Sequence, residues 1–291
     1  MEYLLHIGIM LCIYGILVIS TNLTVGMANL LTLCQAAFYG IGAYFGTFLL
    51  MHLNIPFILI ALIVMALTGL SSLVISFASA RLKGDYFILG TLGFQMIVYT
   101  ILYNWEKVTL GPYGIAGIPC IKLLGIWQIS GIYAYFIFSV VLLVLVLWIF
   151  KRIQGSPYGR LLRAIRTDEL SVQALGRNTT AVKARAFFIS SAFAGLAGIV
   201  YASYVGYISP ASFTLDDSIF IITALFIGGI GSGVVGPLSG AAVVVILPEL
   251  LRFVGLPDPV AANLRQIIYG LVLIILMFYR PQGLLGDAKM K

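Results

Sequence analysis

The residue types that most often carry catalysis or bind metals are few in this chain and lie far apart. Its two histidines are His6 and His52, and its three cysteines are Cys12, Cys34 and Cys120. Neither group has the spacing of a metal site or of a disulfide framework, and no HExxH sequence occurs. We therefore expect the cysteines to be packing residues, and we expect no metal-dependent catalysis.

One glycine-rich stretch has the letter pattern of a nucleotide-binding turn. GSGVVG, at residues 231–236, matches GxGxxG. A dinucleotide site needs this pattern between a strand and a helix, with an acid about 20 residues later. Here the stretch lies inside an apolar segment and Glu249 comes too early. Close helix packing and a backbone-lined passage are the remaining alternatives. No Walker A sequence occurs, so we expect neither bound ATP nor another cofactor.

The acidic residues also argue against chemistry within a membrane. Intramembrane carboxylates relay protons in ion-coupled carriers and hold metals in membrane enzymes. Of the ten acids in the chain, only Asp216, Asp217 and Glu249 come near an apolar segment, and they lie towards its edge. An enzyme is therefore not expected, and the energy for any transport is expected to come from outside the chain.

The overall composition is that of a membrane protein. Hydrophobic residues make up 61% of the chain and charged residues 9%, whereas a soluble domain carries about 25% charged residues. The net charge of +7 comes from basic residues in one loop and at the ends of apolar runs. That placement is typical of positive-inside topology rather than of a nucleic-acid site. The predicted fold class is an all-α polytopic membrane protein with about 8–10 transmembrane helices.

These helices are predicted to form one transmembrane domain over residues 1–291. A span needs about 20 largely apolar residues. Uninterrupted candidates are residues 3–19, 57–80, 86–103, 132–150, 186–207 and 264–279. Residues 25–53 and 218–251 are apolar but interrupted by glycines, and we expect each to be a broken or re-entrant region.

The basic residues predict the topology. Residues 151–185 hold eight of the seventeen Lys and Arg residues, which predicts a cytoplasmic loop. Arg81 with Lys83, and Arg280 with the lysines of the tail, predict two further cytoplasmic segments. Both termini are then cytoplasmic, the first span is retained, and each interrupted region begins and ends outside.

The two interrupted regions resemble each other and predict an internal duplication. QAAFYGIGAYFG at residues 35–46 and TALFIGGIGSGVVG at residues 223–236 both place a Phe shortly before a glycine cluster. Paired broken segments of this kind indicate unwound backbone along a central path. For the polar members of this set, an interhelical hydrogen bond is the alternative to a wet passage. The candidate path residues are Asn29, Gln35, Gly42, Ser218, Gly228, Gly229, Gly231 and Gly233.

A short amphipathic helix is predicted within the cytoplasmic loop. Thr167 is a candidate cap for a helix beginning at Asp168, and Gly176 is a candidate stop. One face of this helix has the apolar stripe Leu170, Ala174 and Leu175. Two functions stay open for the stripe: docking into the groove of a partner protein, or contact with lipid headgroups next to Arg163, Arg166 and Arg177.

Several motifs resemble those of the permeases of branched-chain amino-acid ABC importers. The longest is RAIRTDELSVQALGRNTTAVKARAFFISSAFAGLAG at residues 163–198. The others, in chain order, are CQAAFYGIGAY, GPYGIAGIP, FIGGIGSGVVGPLSGA, LPELLR and YRPQGLLG. Together they span nearly the whole chain, and they are most similar to the M-type member of the two unlike permeases that pair in these importers.

The resemblance implies a non-catalytic subunit that works with three kinds of partner in the inner or plasma membrane of a prokaryote. These are a second, non-identical permease, two cytosolic ATP-binding subunits and an extracytoplasmic substrate-binding protein. It also implies that the loop helix is the coupling helix that docks on an ATPase. The residues assigned to this coupling loop are Arg166, Asp168, Glu169, Gln173, Ala174, Gly176, Asn178 and Lys183. An importer of urea or short amides, a stand-alone channel and a secondary carrier remain as alternative functions.

Overall fold

The computed structural model describes residues 2–53, 55–79, 84–122, 129, 131–231, 233–252 and 270–271. The described chain is almost entirely helical. Its helices are α1 Glu2–Thr21, α2 Gln35–His52, α3 Phe57–Ser79, α4 Asp85–Asn104, α5 Glu106–Thr109, α6 Ile132–Gly155, α7 Pro157–Thr167, α8 Glu169–Ala174, α9 Thr179–Val205, α10 Leu215–Gly228 and α11 Val235–Arg252. A π-helical segment, Asn22–Met27, continues α1, and the strands β1 Ile115–Ala116 and β2 Tyr207–Ile208 pair antiparallel.

Six stretches of helix in the described residues are long and apolar enough to cross a membrane. They are Glu2–Met27, Phe57–Ser76, Asp85–Asn104, Ile132–Gly155, Thr179–Val205 and Pro210–Gly228. Helices α2 and α11 pack in the same bundle. The predicted class, an all-α polytopic membrane protein, is confirmed.

Helix α9 is the centre of the bundle, and glycines let its neighbours approach it closely. In its apolar window 83% of the residues are buried, against 22% for α6. A Cβ on Gly42 of α2 would lie 2.2 Å from the Cα of Gly195, and one on Gly198 would lie 2.2 Å from the Tyr39 carbonyl oxygen. These contacts leave no room for side chains, so α2 and α9 pack backbone against backbone.

The two ends of the bundle can be told apart by their connections. Helices α7 and α8 lie at one end, here called the loop end, and β1 with β2 lies at the other, here called the strand end. His6 contacts the Tyr204 hydroxyl at 2.7 Å, which places the start of α1 at the strand end, where α9 finishes. Arg166 donates to the carbonyl oxygen of Gly26 at 2.5 Å, which places the end of the π-helical segment at the loop end.

The predicted placement of the N-terminus on the same side as residues 151–185 is therefore wrong. The prediction treated residues 25–53 as a hairpin that begins and ends on one side. Instead α1 and the π-helical segment form one crossing of 26 residues, Glu2–Met27, which includes the first residues of this region. Only α2 is left to cross back, and its glycine-rich stretch, residues 35–46, is continuous helix rather than unwound backbone.

The second interrupted region forms a helical hairpin. Helices α10 and α11 run antiparallel from the strand end, because Tyr3 donates to Glu249 near the far end of α11. They approach closely where a Cβ on Gly240 would lie 1.9 Å from the Ala224 carbonyl oxygen. The turn between them, here called the glycine turn, covers residues 229–234 apart from 232 and lies at the loop end next to Gln154.

Some predictions concern residues beyond those described. The span at 264–279, the tail that follows it and the turn with Arg81 and Lys83 fall, wholly or nearly so, outside the described ranges.

Candidate functional site

The loop end carries a segment that is folded onto the bundle and not inserted in it. Helix α7 begins at Pro157, and the Ser156 hydroxyl caps it by accepting from the amide of Gly159 at 3.2 Å. Leu162 and Ile165 are buried and hold its inner face against the bundle. The Tyr158 hydroxyl donates to the carbonyl oxygen of Val182 at 3.0 Å, and burial raises the pKa of this phenol. Residues 156–178 are called the coupling segment below, after the role that the family resemblance predicts for this loop.

Helix α8 is capped by Asp168. One carboxylate oxygen accepts from the amides of Leu170 at 3.0 Å and Ser171 at 3.3 Å, and the other accepts from the Ser171 hydroxyl. The hydrogen bonds from Ser171, together with that from Leu170, lower the pKa of Asp168. The predicted cap, Thr167, instead ends α7 and donates to the Arg163 carbonyl oxygen. Sequence spacing alone placed the cap one residue too early, because Thr and Asp are both good caps.

The apolar stripe of α8 points away from the protein. Val172 is buried against the bundle, whereas Leu170 is 71% exposed and Leu175 is 82% exposed. Ala174 is exposed beside them, and Gly176, at φ 75°, ends the helix as predicted. A six-residue helix that, together with the residue after it, presents two leucines to solvent has the form of a contact surface for another molecule.

Four of the predicted coupling residues meet at the junction of α8 and α9. Lys183 pairs with Glu169 at 2.7 Å, and Gln173 donates to the Thr179 hydroxyl at 2.9 Å. Asn178 caps α9 by accepting from the amide of Ala181 at 3.1 Å. These contacts hold α8 against the start of the long central helix α9.

Arg166 is held elsewhere, on the inner side of α7. Its guanidinium donates to the carbonyl oxygen of Gly26, at the end of the first transmembrane crossing. Burial lowers the pKa of this guanidinium from its usual value, although arginine stays charged at neutral pH. The coupling segment is thus connected to both α9 and α1.

Two of the polar residues predicted for the path are buried in hydrogen bonds between helices. Gln35 donates to the Ser20 hydroxyl at 2.8 Å, which joins α2 to α1. The Ser218 hydroxyl accepts from the amide of Ala36 at 3.0 Å and donates to Gln95 at 3.4 Å. In this structure these side chains join helices of one subunit, as the alternative prediction for neutral polar residues states.

Asn29 lies apart from them at the loop end. Its φ of 55° is in the left-handed region that Asn tolerates better than most residues. It is exposed in a cleft of about 400 Å³ between the α1–α2 connection, the start of α4 and the coupling segment. Asp85, Glu169 and Lys183 also line this cleft, which therefore carries both signs of charge.

The glycines predicted for the path have two different structural roles. Gly42 serves helix packing, and a Cβ on Gly228 would lie 2.0 Å from the carbonyl oxygen of Gly236. Gly229, Gly231 and Gly233 form the glycine turn with φ of 106°, 79° and 74°. The carbonyl oxygen of Gly233 accepts from Asn22 at 2.8 Å and from Gln154 at 3.2 Å.

The structure therefore brings the predicted path residues together only in part. The four glycines from 228 to 233 cluster at the loop end. Gln35 begins α2 inside the bundle, and Ser218 contacts the next residue of α2, Ala36. Sequence reasoning gave no role to Gln154, and only its contact with the glycine turn reveals one. Within the described ranges, no three His, Cys, Asp or Glu side chains come together as metal ligands.

A bundle of membrane-spanning helices, with a glycine turn and a protruding short helix at one end, defines a polytopic membrane protein. Comparison with known proteins gives the family. A family model for the branched-chain amino acid transport system permease component matches residues 3–277. The chain belongs to this family. No solved structure matches it significantly.

Individual relatives agree with this assignment. The high-affinity branched-chain amino acid transport system permease protein LivM of Salmonella typhimurium is 33% identical over 96% of this chain and 69% of the relative. LivM of Escherichia coli is 33% identical over 94% of this chain and 68% of the relative. The autoinducer 2 import system permease protein LsrC of Salmonella paratyphi B is 31% identical over 66% of this chain and 54% of the relative.

Proposed function

We propose that this permease forms half of the translocation path of an ATP-driven importer of branched-chain amino acids, and that α8 docks on a cytosolic ATP-hydrolysing subunit. The observation that supports this most directly is the exposure of Leu170 and Leu175 on a helix that is otherwise fixed to the bundle. Burying one leucine in a partner's groove stabilises the contact by about 1.5–3 kcal/mol.

We place the loop end in the cytoplasm. The coupling segment and the end of α6 carry an excess of basic residues, which the positive-inside rule retains on that side. Trp148 is 60% exposed near the end of α6, and Arg152 lies 5.5 Å from the centre of its ring. An amphipathic aromatic ring beside a cation is typical of the membrane interface. The start of α1 and the β1–β2 pair then lie on the external side.

The proposed function requires three kinds of partner. The exposed apolar faces of α4 and α6 provide contact area for a second, non-identical permease and for lipid. An external substrate-binding protein meets the strand end, and two ATP-binding subunits meet the coupling segments of the two permeases. ATP hydrolysis resides in those subunits, and the assembly sits in the cell membrane of a prokaryote.

Branched-chain amino acids suit a path without fixed charges. They are zwitterions with an apolar side chain, and backbone dipoles such as those of the glycine turn can interact with both ends of a zwitterion. The names of the LivM relatives favour this cargo. An autoinducer 2 permease also shares 31% identity over part of the chain, so autoinducer 2 is the cargo to compare with leucine.

The decisive experiment is uptake of labelled leucine into vesicles that contain both permeases, with binding protein present and the ATPases either included or omitted. We expect uptake only with ATPases and ATP, and competition by isoleucine and valine. Urea and autoinducer 2 are the matched competitors, and we expect neither to reduce leucine uptake. Uptake that persists without the ATPases would identify a stand-alone carrier and reject the proposal.

A further inference from the structure

Three parts of the chain meet at a single carbonyl group at the loop end. Asn22, in the π-helical segment after α1, and Gln154, near the end of α6, both donate to the carbonyl oxygen of Gly233. Gly233 belongs to the glycine turn between α10 and α11. The turn is therefore fastened to two transmembrane helices by side-chain amides from residues that are 211 and 79 positions away in the chain.

The same π-helical segment is the point where Arg166 of the coupling segment attaches. Arg166 donates to the carbonyl oxygen of Gly26, four residues after Asn22. A Cβ on Gly26 would lie 1.8 Å from the Asn22 side-chain oxygen and 3.4 Å from the amide nitrogen of Gly231. Gly26 is thus packed between the Asn22 amide and the glycine turn, and no side chain can separate them.

Two features make this junction suitable for movement between alternative conformations. The π-helical geometry of Asn22–Met27 is a local departure from α-helix of the kind found at functional sites. Among the residues that the structure describes, none donates a hydrogen bond to the buried side-chain oxygen of Asn22. A buried acceptor without a donor raises the free energy of this conformation relative to one in which the oxygen gains a donor.

We propose that Arg166, Asn22 and Gln154 are positioning residues that transmit the displacement of α8 to the glycine turn. The inference rests on the proposed function, in which a cytosolic ATPase moves α8. Displacement of α8 carries Arg166, which lies two residues before its cap, and Arg166 moves Gly26. Gly26 and Asn22 contact the glycine turn at Gly231 and Gly233, so their movement shifts this turn. The turn connects α10 and α11, and its shift therefore moves the loop end of that hairpin.

The first test measures leucine taken up per ATP hydrolysed by the reconstituted complex. Arg166→Ala, Asn22→Ala and Gln154→Ala are each expected to lower this ratio by about 2-fold to 30-fold, the range for substitutions along a coupling network. Arg166→Lys keeps a donor and is expected to restore most of the ratio. Gly26→Ala displaces the Asn22 amide and is expected to lower the ratio as well. Its matched control is Gly93→Ala, because a Cβ at Gly93 meets nothing within 4 Å.

The second test follows the turn itself. Val235 is 68% exposed directly after the turn, so Val235→Cys reports its movement by alkylation rate in a chain whose Cys120 is replaced by Ser. We expect the rate in the complex to differ between the ATP-bound and nucleotide-free states, and Arg166→Ala to abolish that difference. Gel filtration checks that each variant assembles in normal amount.

The outcomes separate this inference from the proposed function. An unchanged nucleotide response and an unchanged uptake ratio in Arg166→Ala would overturn the inference alone. Absence of ATP-driven uptake in the complex with Arg166 intact would overturn the proposed function and the inference with it.

Discussion

Individual residues of the coupling segment hold α8 in a defined position through few, local contacts. Asp168 fixes its start, Gly176 fixes its end, and Glu169 ties it to Lys183 of α9. None of these contacts depends on the membrane core. Substitutions here are therefore expected to change coupling between subunits and to leave the transmembrane bundle intact.

Removal of the Asp168 cap is the first prediction at this scale. Asp168→Ala leaves the amides of Leu170 and Ser171 without an acceptor, so we expect α8 to fray and those two amides to exchange hydrogen faster. Asp168→Ser keeps a capping oxygen and is the matched control. Faster exchange in Asp168→Ser than in Asp168→Ala would contradict the capping role.

The cap also predicts a pH dependence. The pKa of Asp168 is lower in the folded chain than its ordinary value, because Ser171 and Leu170 donate to the carboxylate. The sign follows from linkage: the stabilising effect is present above the ordinary pKa and is lost as pH falls through the lowered value. The serine cap of Asp168→Ser does not titrate. In this variant the protection of the α8 amides from hydrogen exchange is therefore expected not to fall at acidic pH.

The Glu169–Lys183 pair gives the second residue-scale prediction. Glu169→Lys places two cations at the α8–α9 junction, so we expect the protein to remain in the membrane while ATP-driven uptake is lost. A partly exposed ion pair at the surface contributes only about 0–1 kcal/mol to stability, so thermal unfolding should change little. The exchanged pair, Glu169→Lys with Lys183→Glu, is expected to recover uptake. Normal uptake by Glu169→Lys alone would count against this role.

At the scale of elements, the apolar face of α8 gives a prediction about assembly. Leu175 is 82% exposed, so its side chain contributes little to the stability of the isolated permease. Leu175→Asp is therefore expected to weaken binding of the ATPase by about tenfold to a hundredfold, the equivalent of losing one buried leucine, with no change in unfolding temperature. Leu175→Met keeps an apolar side chain and is the control. Affinity is measured by titrating the ATPase onto permease in nanodiscs, and equal affinities would reject α8 as the docking helix.

The elements that could be predicted from the sequence are those set by local pattern. Apolar runs in the sequence predicted α3, α4, α6 and α9, because bilayer thickness dictates the length of a membrane-spanning helix. The stripe and the terminal glycine of α8 lie within ten residues of each other, so local chemistry revealed them, whereas the cap was predicted one residue too early. Residues 25–53 were misinterpreted because Gly26 was taken as a break, whereas the π-helical segment carries the helix through it. The contacts of Asn22 with Gly233 and of Arg166 with Gly26 join distant parts of the chain, and no local pattern encodes them.

At the scale of the whole molecule, α9 connects the two ends of the permease. It begins beside α8 at the loop end, packs on α2 and α3 through glycines, and finishes beside β2 at the strand end. Tyr135 of α6 donates to the Ser203 carbonyl oxygen near that finish at 3.0 Å. This continuous, closely packed helix forms the long axis of the bundle.

The last prediction concerns the orientation of this axis in the membrane. If the loop end is cytoplasmic, Leu175→Cys in cells that express the permease without the ATPase reacts with a membrane-impermeant thiol reagent only after the cells are made permeable. Glu2→Cys and Tyr113→Cys lie at the strand end, where Tyr113 is 86% exposed, and both are expected to react in intact cells. Cys120 is partly exposed and is replaced by Ser in all three variants. Cys12 and Cys34 are buried and do not compete for the reagent. Reaction of Glu2→Cys and Leu175→Cys from the same side would contradict the structure, since α1 runs from one end of the bundle to the other. Reaction of Leu175→Cys alone in intact cells would invert the orientation and leave α8 out of reach of any cytosolic ATPase.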